Sequence, residues 1–103
     1  AAVPAAVRPP EKMVVTTPGN KPRSFDLGDE LIIGRASKCQ VVIDDSYASQ
    51  VHARVFKRGD SMYLEDMGST NGTYLNRRKV TSALLVNRGD TARIGKTEME
   101  FKR

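Results

Sequence analysis

The sequence is divided into short runs in which apolar and polar residues alternate, and turn residues separate the runs. In the last run, Thr97, Met99 and Phe101 fall on one face, while Glu98 and Glu100 fall on the other. A period of two residues is typical of a strand with one buried face. Comparable runs occupy residues 13–17, 23–27, 31–34, 41–43, 51–58, 62–66, 73–75 and 91–94. Many short strands with regular turn signals predict an all-β, antiparallel sandwich or barrel.

One stretch, residues 80–86, is ambiguous between strand and helical turn. Val80, Leu84 and Leu85 would share one side of a helical turn. The stretch is too short to change the predicted fold class.

Length and composition indicate one small domain. The 103 residues are enough to bury a single core without disulfides or metals. The single Cys39 cannot close an intrachain disulfide, and one histidine offers no metal-ligand cluster, so we predict no metal and no cofactor. We interpret Cys39 as a packing residue, and a lone thiol fits a cytoplasmic location. No apolar run approaches the roughly 20 residues of a membrane helix, so we expect no membrane contact by this segment.

Residues 1–11 are assigned to an Ala- and Pro-rich linker and residues 12–103 to the domain. Pro4, Pro9 and Pro10 prevent regular backbone hydrogen bonding in the first segment. The chain begins at Ala1 without an initiator Met. We therefore expect a fragment or a processed form. A missing upstream segment could tether this domain to another structure.

The charge balance predicts an anionic partner. A net charge of +5 and a pI near 9.7 fit a nucleic acid, a membrane surface or a phosphorylated protein. The triplet Arg77-Arg78-Lys79 keeps a basic nucleic-acid-binding β domain as the alternative function. Aromatic residues are only 6% of the chain, and none is interleaved with the triplet as a base-stacking platform requires. We interpret the triplet as a solvated face and do not expect nucleic acid as the partner.

A polar loop at 66–76 lies between two of the predicted strands. Gly68 and Gly72 permit positive φ, and short polar side chains lie between them. Taken alone, the dipeptide Asn71-Gly72 is typical of a tight hairpin turn. The loop by itself therefore favours an ordinary turn over a binding site.

Three sequence blocks together change that interpretation. They are Gly34-Arg35, then Ser49-Gln50-Val51-His52-Ala53, then the block 66–73, which reads DMGSTNGT. In this order and spacing, the chain from about residue 12 to 102 resembles the forkhead-associated (FHA) domain, most of all the small FHA proteins of actinobacteria. The resemblance implies a β-sandwich of about eleven short strands with ligand-binding loops at one end. It also implies a monomeric phosphothreonine-peptide binding module, whose partner is a Thr-phosphorylated protein such as a Ser/Thr kinase or its substrate.

The resemblance also implies the residues of the site. The phosphothreonine would be bound by Arg35, Ser49, Thr70 and Asn71, with Lys38, Gln50 and Ser69 as secondary candidates. A guanidinium forms charge-assisted hydrogen bonds to phosphate, and hydroxyl and amide groups add short-range donors. Asn71 is expected to pair with the peptide backbone.

A second group of residues is expected to support the loops without contacting the ligand. These residues are Gly34, His52 and Gly72, and the imidazole of His52 would hold the binding loops together by hydrogen bonds. Gln50 is neutral where many family members carry a basic residue, which removes a possible second cation from the phosphate site. Cys39-Gln40-Val41 also departs from the frequent family sequence Asn-Asp-Ile, which leaves open how the Arg35 loop is braced.

We do not expect an enzyme. Ser49 and His52 lack the strained turn of a nucleophile elbow. The sequence Gly95-Lys96-Thr97 resembles the end of a phosphate-binding P-loop, but the required earlier glycine is replaced by Asp90. Thr97 also opens an alternating strand, whereas a P-loop leads into a helix.

Overall fold

The computed structural model describes residues 8–103, and within that range it contains eleven strands and no helix. The strands are β1 (Lys12–Thr16), β2 (Arg23–Asp26), β3 (Glu30–Gly34), β4 (Val41–Val42), β5 (Ala53–Arg58), β6 (Ser61–Asp66), β7 (Tyr74–Leu75), β8 (Arg78–Lys79), β9 (Leu84–Val86), β10 (Thr91–Ile94) and β11 (Thr97–Lys102). The number of strands and the all-β class confirm the sequence prediction. No helix in this range is long and apolar enough to cross a membrane.

The strands form two sheets. One sheet has six strands in the order β2-β1-β11-β10-β7-β8, and the other has five in the order β4-β3-β5-β6-β9. The strand pairs are antiparallel except β3–β4, which is parallel, with Ile33 opposite Val41. The prediction of an antiparallel sandwich is confirmed, and this short parallel pair is the departure from it. A polar loop, and not a helix, connects the two parallel strands.

The hydrophobic core lies between the two sheets, and both contribute to it. Met99 and Phe101 of β11 are fully buried, as are Val55 and Leu64 of the facing sheet. The exposed residues between them on β11, including Glu98 and Glu100, confirm the predicted alternation. Burying apolar side chains of this size stabilises the fold by about 1.5 to 3 kcal/mol each.

The polar loop at 66–73 is not a hairpin turn, so the interpretation of Asn71-Gly72 taken alone was wrong. β6 pairs with β5 and β9 in the five-stranded sheet, whereas β7 pairs with β10 and β8 in the six-stranded sheet. Gly72 has a φ of 88°, but Asn71 is not among the non-glycine residues with positive φ, as a type I′ hairpin turn would require. The loop therefore carries the chain from one sheet to the other.

The tight hairpin occurs directly after this loop, where the sequence did not predict one. β7 and β8 are joined by Asn76 and Arg77, which have φ values of 49° and 71°. Positive φ at both central residues is the geometry of a type I′ turn. The ambiguous stretch 80–86 ends in strand β9.

Residues upstream of position 12 also contact the domain. The backbone N–H of Glu11 donates to the carbonyl of Lys102 at 2.8 Å, and the N–H of Arg88 donates to the carbonyl of Arg8 at 2.9 Å. Backbone pairing thus begins before the predicted boundary. The rest of the proposed linker, residues 1–7, lies outside the described residues.

Candidate functional site

Ser49 is the residue at which the predicted binding segments meet. Its carbonyl accepts a hydrogen bond from the N–H of Arg35 at 3.0 Å. Its hydroxyl oxygen accepts one from the N–H of Thr70 at 3.2 Å, and its own N–H donates to Nδ1 of His52 at 2.9 Å. The hydroxyl proton of Ser49 remains available as a donor. The structure therefore brings Arg35, Ser49 and Thr70 together from three separate parts of the sequence.

His52 connects the segment that contains Ser49 to the loop between β6 and β7. The side chain is fully buried. Because Nδ1 accepts the hydrogen bond from Ser49, the proton is on Nε2, which donates to the carbonyl of Gly72 at 2.9 Å. The backbone of His52 joins the same loop, since its carbonyl accepts from the N–H of Met67 at 2.9 Å. Both ring nitrogens are thus occupied by backbone groups, and neither is left to act as a base toward the Ser49 hydroxyl.

The loop between β6 and β7 is organised from within by Asp66. Its carboxylate accepts hydrogen bonds from the N–H of Ser69 at 2.8 Å, from the Ser69 hydroxyl and from the Thr73 hydroxyl at 2.8 Å. The Ser69 oxygen accepts in turn from the N–H of Gly72 at 2.9 Å. Partial burial would raise the pKa of Asp66, but the hydrogen bonds from Ser69 and Thr73 outweigh it and lower that pKa below its ordinary value.

Asp45 holds the opposite side of the site, and sequence reasoning missed it. Its carboxylate accepts from the N–H of Tyr47 at 2.9 Å, the N–H of Lys96 at 2.8 Å and the hydroxyl of Thr97 at 2.9 Å. Burial would raise the pKa of Asp45, but these hydrogen bonds and the charge of Lys96 lower it overall. Asp45 thus fixes the turn between β10 and β11 against the segment that leads to Ser49.

Gly95, in that turn, leaves room for the Asp45 contact. A Cβ atom at this position would lie 2.7 Å from Oδ1 of Asp45 and 2.7 Å from Cβ of Tyr47. A local sequence signal for the contact was absent, because Asp45 and its partners in the turn are 51 and 52 positions apart.

The close approach of two backbone segments explains the glycine before Arg35. A Cβ at Gly34 would lie 2.3 Å from the carbonyl oxygen of Gln50, which no side chain permits. The N–H of Ala36 donates to that same oxygen at 3.0 Å, and the Cys39 thiol contacts it at 3.4 Å. This pairing leaves the Arg35 side chain exposed beside Ser49. Cys39 is buried, consistent with its interpretation as a packing residue.

The structure also places the other candidate residues. Asn71 is exposed, and its Nδ2 donates to the carbonyl of Tyr47 at 2.8 Å. Lys38 and Gln50 are exposed, and the backbone of Gln50 pairs with Ala36, the residue after Arg35. The Ser69 hydroxyl donates to Asp66 and accepts from Gly72, so its only proton is used inside the loop. Ser69 therefore supports the loop, and its hydroxyl is not a free donor.

Comparison with known proteins identifies the family to which the fold belongs. The sequence model of the FHA domain matches residues 31–95, more than half of the chain. The chain belongs to the FHA family. The match begins in β3 and ends just after β10, so it includes the Arg35, Ser49 and Gly68–Gly72 segments of this FHA domain.

Two curated relatives are FHA domain-containing proteins named FhaB. This FHA domain is 47% identical over 92 residues to FhaB of Mycolicibacterium smegmatis, covering 88% of this chain and 59% of that protein. It is 53% identical over 72 residues to FhaB of Mycobacterium tuberculosis, covering 70% of this chain and 46% of that protein. The predicted likeness to actinobacterial FHA proteins is confirmed. The chain spans only about half the length of the curated relatives it matches.

A solved structure agrees with the fold over nearly the whole chain. It comes from a structural and functional analysis of phosphothreonine-dependent FHA domain interactions. This FHA domain matches it with a TM-score of 0.78 and 27% identity, covering 89% of this chain and 96% of the other. The FHA fold thus holds with most side chains replaced.

Proposed function

We propose that the chain is a phosphothreonine-peptide binding module in Ser/Thr-kinase signalling, which recognises a phosphorylated protein through the loops around Ser49. The observation that carries the proposal is the convergence at Ser49. Buried groups hold three segments in place, while the side chains that face solvent there are a cation, hydroxyls and an amide. FHA domains analysed for phosphothreonine dependence share the fold. Mycobacterium tuberculosis EmbR, a further structural relative at 26% identity and TM-score 0.78, was solved with a phosphopeptide.

The chemistry of the exposed side chains suits a phosphate monoester. Near pH 7 the phosphate carries about −1.5 to −2 charges and three strong acceptor oxygens. Arg35 supplies charge-assisted hydrogen bonds, and the free hydroxyl proton of Ser49 and the hydroxyl of Thr70 add neutral donors. Asn71 would bond the peptide backbone with its amide oxygen while its Nδ2 stays on Tyr47. His52 would act through loop position, without touching the ligand.

The partner would be a Thr-phosphorylated protein, either a Ser/Thr kinase or one of its substrates, bound by a monomer in the cytoplasm. A binding role, without catalysis, agrees with the engagement of both His52 nitrogens by backbone groups. The alternative of a nucleic-acid binder has less support. Its main feature is the basic triplet, which lies in the β7–β8 hairpin. Among the described residues, no row of aromatic side chains lies beside the triplet to stack on bases.

Replacing Arg35 tests the phosphate site directly. Arg35→Ala should weaken phosphothreonine-peptide binding by about 1.5 to 3 kcal/mol, or roughly 10- to 150-fold, because the phosphate loses its main counter-charge. Isothermal titration calorimetry measures the loss, and Arg103→Ala, an exposed arginine after β11, is the matched control. Equal affinities for a folded Arg35→Ala protein and the wild type would disprove the assignment.

The preference for phosphothreonine over phosphoserine tests whether the site recognises the threonine side chain or only binds anions. Both residues present the same phosphate, so any preference must come from the threonine methyl group packed between the Ser49 segment and the Gly68–Gly72 loop. One buried methyl is worth about 0.8 kcal/mol by area, and a shape-matched site reaches roughly 1 to 3 kcal/mol. We expect the phosphothreonine peptide to bind about 4- to 150-fold more tightly. Equal dissociation constants at physiological salt would leave only a nonspecific anion site.

A further inference from the structure

A row of exposed side chains crosses the outer face of the six-stranded sheet next to the proposed site. Tyr74 of β7 lies directly opposite Lys79 of β8 on one side and Arg93 of β10 on the other. Arg93 in turn lies opposite Glu98 of β11. Directly opposed residues of antiparallel strands project on the same face, so these four side chains are neighbours in one row. All four are exposed, which places the row on the solvent side of the sheet.

The row is continuous with the proposed phosphothreonine site. The Tyr74 ring lies over the binding loop, since a Cβ at Gly72 would be 3.5 Å from its Cε1 atom. The Lys79 side chain reaches the same glycine, with its Cε 3.4 Å from that position. A shallow groove lined by Tyr47, Asn71, Tyr74, Arg93, Gly95 and Lys96 joins the loops to the row. Asn71 therefore belongs both to the proposed site and to the lining of this groove.

The charge of this surface is unbalanced. Lys79, Arg93 and Lys96 are basic, Glu98 is the exposed acidic residue of the row, and the buried carboxylate of Asp45 lies beside Lys96. Glu98 already pairs with Arg93 at 3.3 Å, with both side chains more than half exposed. An exposed pair of this kind is weak and open to competition from another carboxylate. Lys96 lies 5.9 Å from the centre of the Tyr47 ring, at the end of the groove nearest Asp45.

We propose that Lys79, Tyr74, Arg93 and Lys96, here called the Tyr74 surface, bind the part of the partner that flanks the phosphothreonine and select for acidic side chains there. The inference rests on the proposed function and names its ligand class, an acidic phosphothreonine peptide. Tyr74 supplies an apolar face for the peptide, and the three cations meet its carboxylates. From the sequence alone, we interpret Lys79 as part of a solvated basic triplet. Under this proposal Lys79 contributes to peptide specificity.

The test compares synthetic phosphothreonine peptides that differ only in their flanks. One set carries Asp and Glu on one or both sides of the phosphothreonine, and the matched set carries Asn and Gln. We expect acidic flanks to tighten binding about 3- to 10-fold, and the advantage to shrink as salt rises because exposed charges are screened. The double variant Lys79→Gln/Arg93→Gln should bring the affinity ratio of the two sets close to one.

Two further variants make the test specific to this surface. Glu98→Gln should raise the acidic preference about 2- to 3-fold, because it removes a repulsive carboxylate and releases Arg93. Lys57→Gln, which makes the same charge change on β5 of the other sheet, should leave the ratio as in the wild type. An unchanged ratio with Lys57→Gln, beside a lost preference with Lys79→Gln/Arg93→Gln, distinguishes a local contact from a general effect of net charge.

The outcomes separate this inference from the proposed function. If no phosphothreonine peptide binds, the proposed function fails, and this inference fails with it. If phosphothreonine peptides bind but acidic and neutral flanks are equal, or if the double variant keeps the ratio, only the inference is overturned. If Lys79→Gln/Arg93→Gln instead weakens binding of a DNA duplex while the peptide ratio is unchanged, the surface contacts nucleic acid, which also overturns it.

Discussion

Asp66 and Asp45 organise the two sides of the site in different ways. Asp66 accepts hydrogen bonds from Ser69 and Thr73, three and seven positions along the same loop. Asp45 accepts from Lys96 and Thr97, 51 and 52 positions away. Each carboxylate has a pKa below its ordinary value for the same reason, since hydrogen bonds favour the charged form against partial burial. One carboxylate therefore shapes a loop, and the other joins two loops.

The difference indicates which part of the site depends on the fold. The loop between β6 and β7 contains its own stabilising groups, so its shape follows from a short stretch of sequence. The Tyr47–Ser49 segment is positioned by its contact with the β10–β11 turn. It therefore reaches its native position only when both sheets are assembled. His52 is the buried link between the two sides, because its ring contacts Ser49 on one side and Gly72 on the other.

Removing the His52 side chain should have the largest effect on stability. His52→Ala removes a fully buried ring and leaves the Ser49 N–H and the Gly72 carbonyl without partners, at a cost of about 3 to 5 kcal/mol. Ser49→Ala removes only a part-buried hydroxyl and should cost less than about 1 kcal/mol while weakening phosphopeptide binding. Thermal melts and calorimetry of both variants measure the contrast.

This pair of variants can contradict the supporting role of His52. A His52→Ala protein that melts like the wild type but has lost phosphopeptide binding would show that the imidazole contacts the ligand. A Ser49→Ala protein with normal affinity would remove Ser49 from the phosphate site.

The two aspartates should differ in their contribution to stability. Asp45 is only 7% exposed, so Asp45→Ala leaves three donors with little access to water and should cost about 2 to 4 kcal/mol. Asp66 is more exposed, and water can replace it, so Asp66→Ala should cost about 1 to 2 kcal/mol. Urea denaturation of both variants measures the difference. Equal losses would mean that local and long-range anchoring contribute alike.

Acid should weaken both sides of the site over the same range of pH. Because the folded state lowers the pKa of both aspartates, their contribution to stability is complete above the unfolded value near 3.9 and is lost as pH falls through the folded values. We expect the free energy of unfolding to fall below about pH 4 and to fall less steeply in Asp45→Asn and Asp66→Asn. Urea midpoints measured between pH 6 and pH 3 test this. An unchanged slope in both variants would contradict the lowered pKa values.

The alternating strands could be predicted because their signal is local. The pattern of Thr97, Met99 and Phe101 requires no knowledge of the partner strand. The β7–β8 hairpin was missed because its turn residues, Asn76 and Arg77, include no glycine although both have positive φ. At Asn71-Gly72 a hairpin was predicted that does not exist, because a dipeptide cannot reveal that the flanking strands belong to different sheets.

Some residues of the candidate site could likewise be predicted from the sequence, and others could not. The candidate residues Arg35, Ser49 and Thr70, which the structure brings together, could be named from the sequence because the family pattern includes them. Asp45 and Gly95 could not, because their contact exists only after the β10–β11 turn packs beside Tyr47. The role of Ser69 was also inaccessible, because a hydroxyl in a loop does not reveal whether its proton is directed inward or toward a ligand.

The pairing of β1 with β11 determines how this domain can be attached to something else. Lys12 lies opposite Lys102, whereas Thr16 lies opposite Glu98, next to the turn that Asp45 holds. The start of β1 and the end of β11 therefore lie side by side, separated from the binding loops by strands about 16 Å long at 3.3 Å per residue. A fluorophore or a sensor surface attached after Lys102 would therefore leave the loops unobstructed.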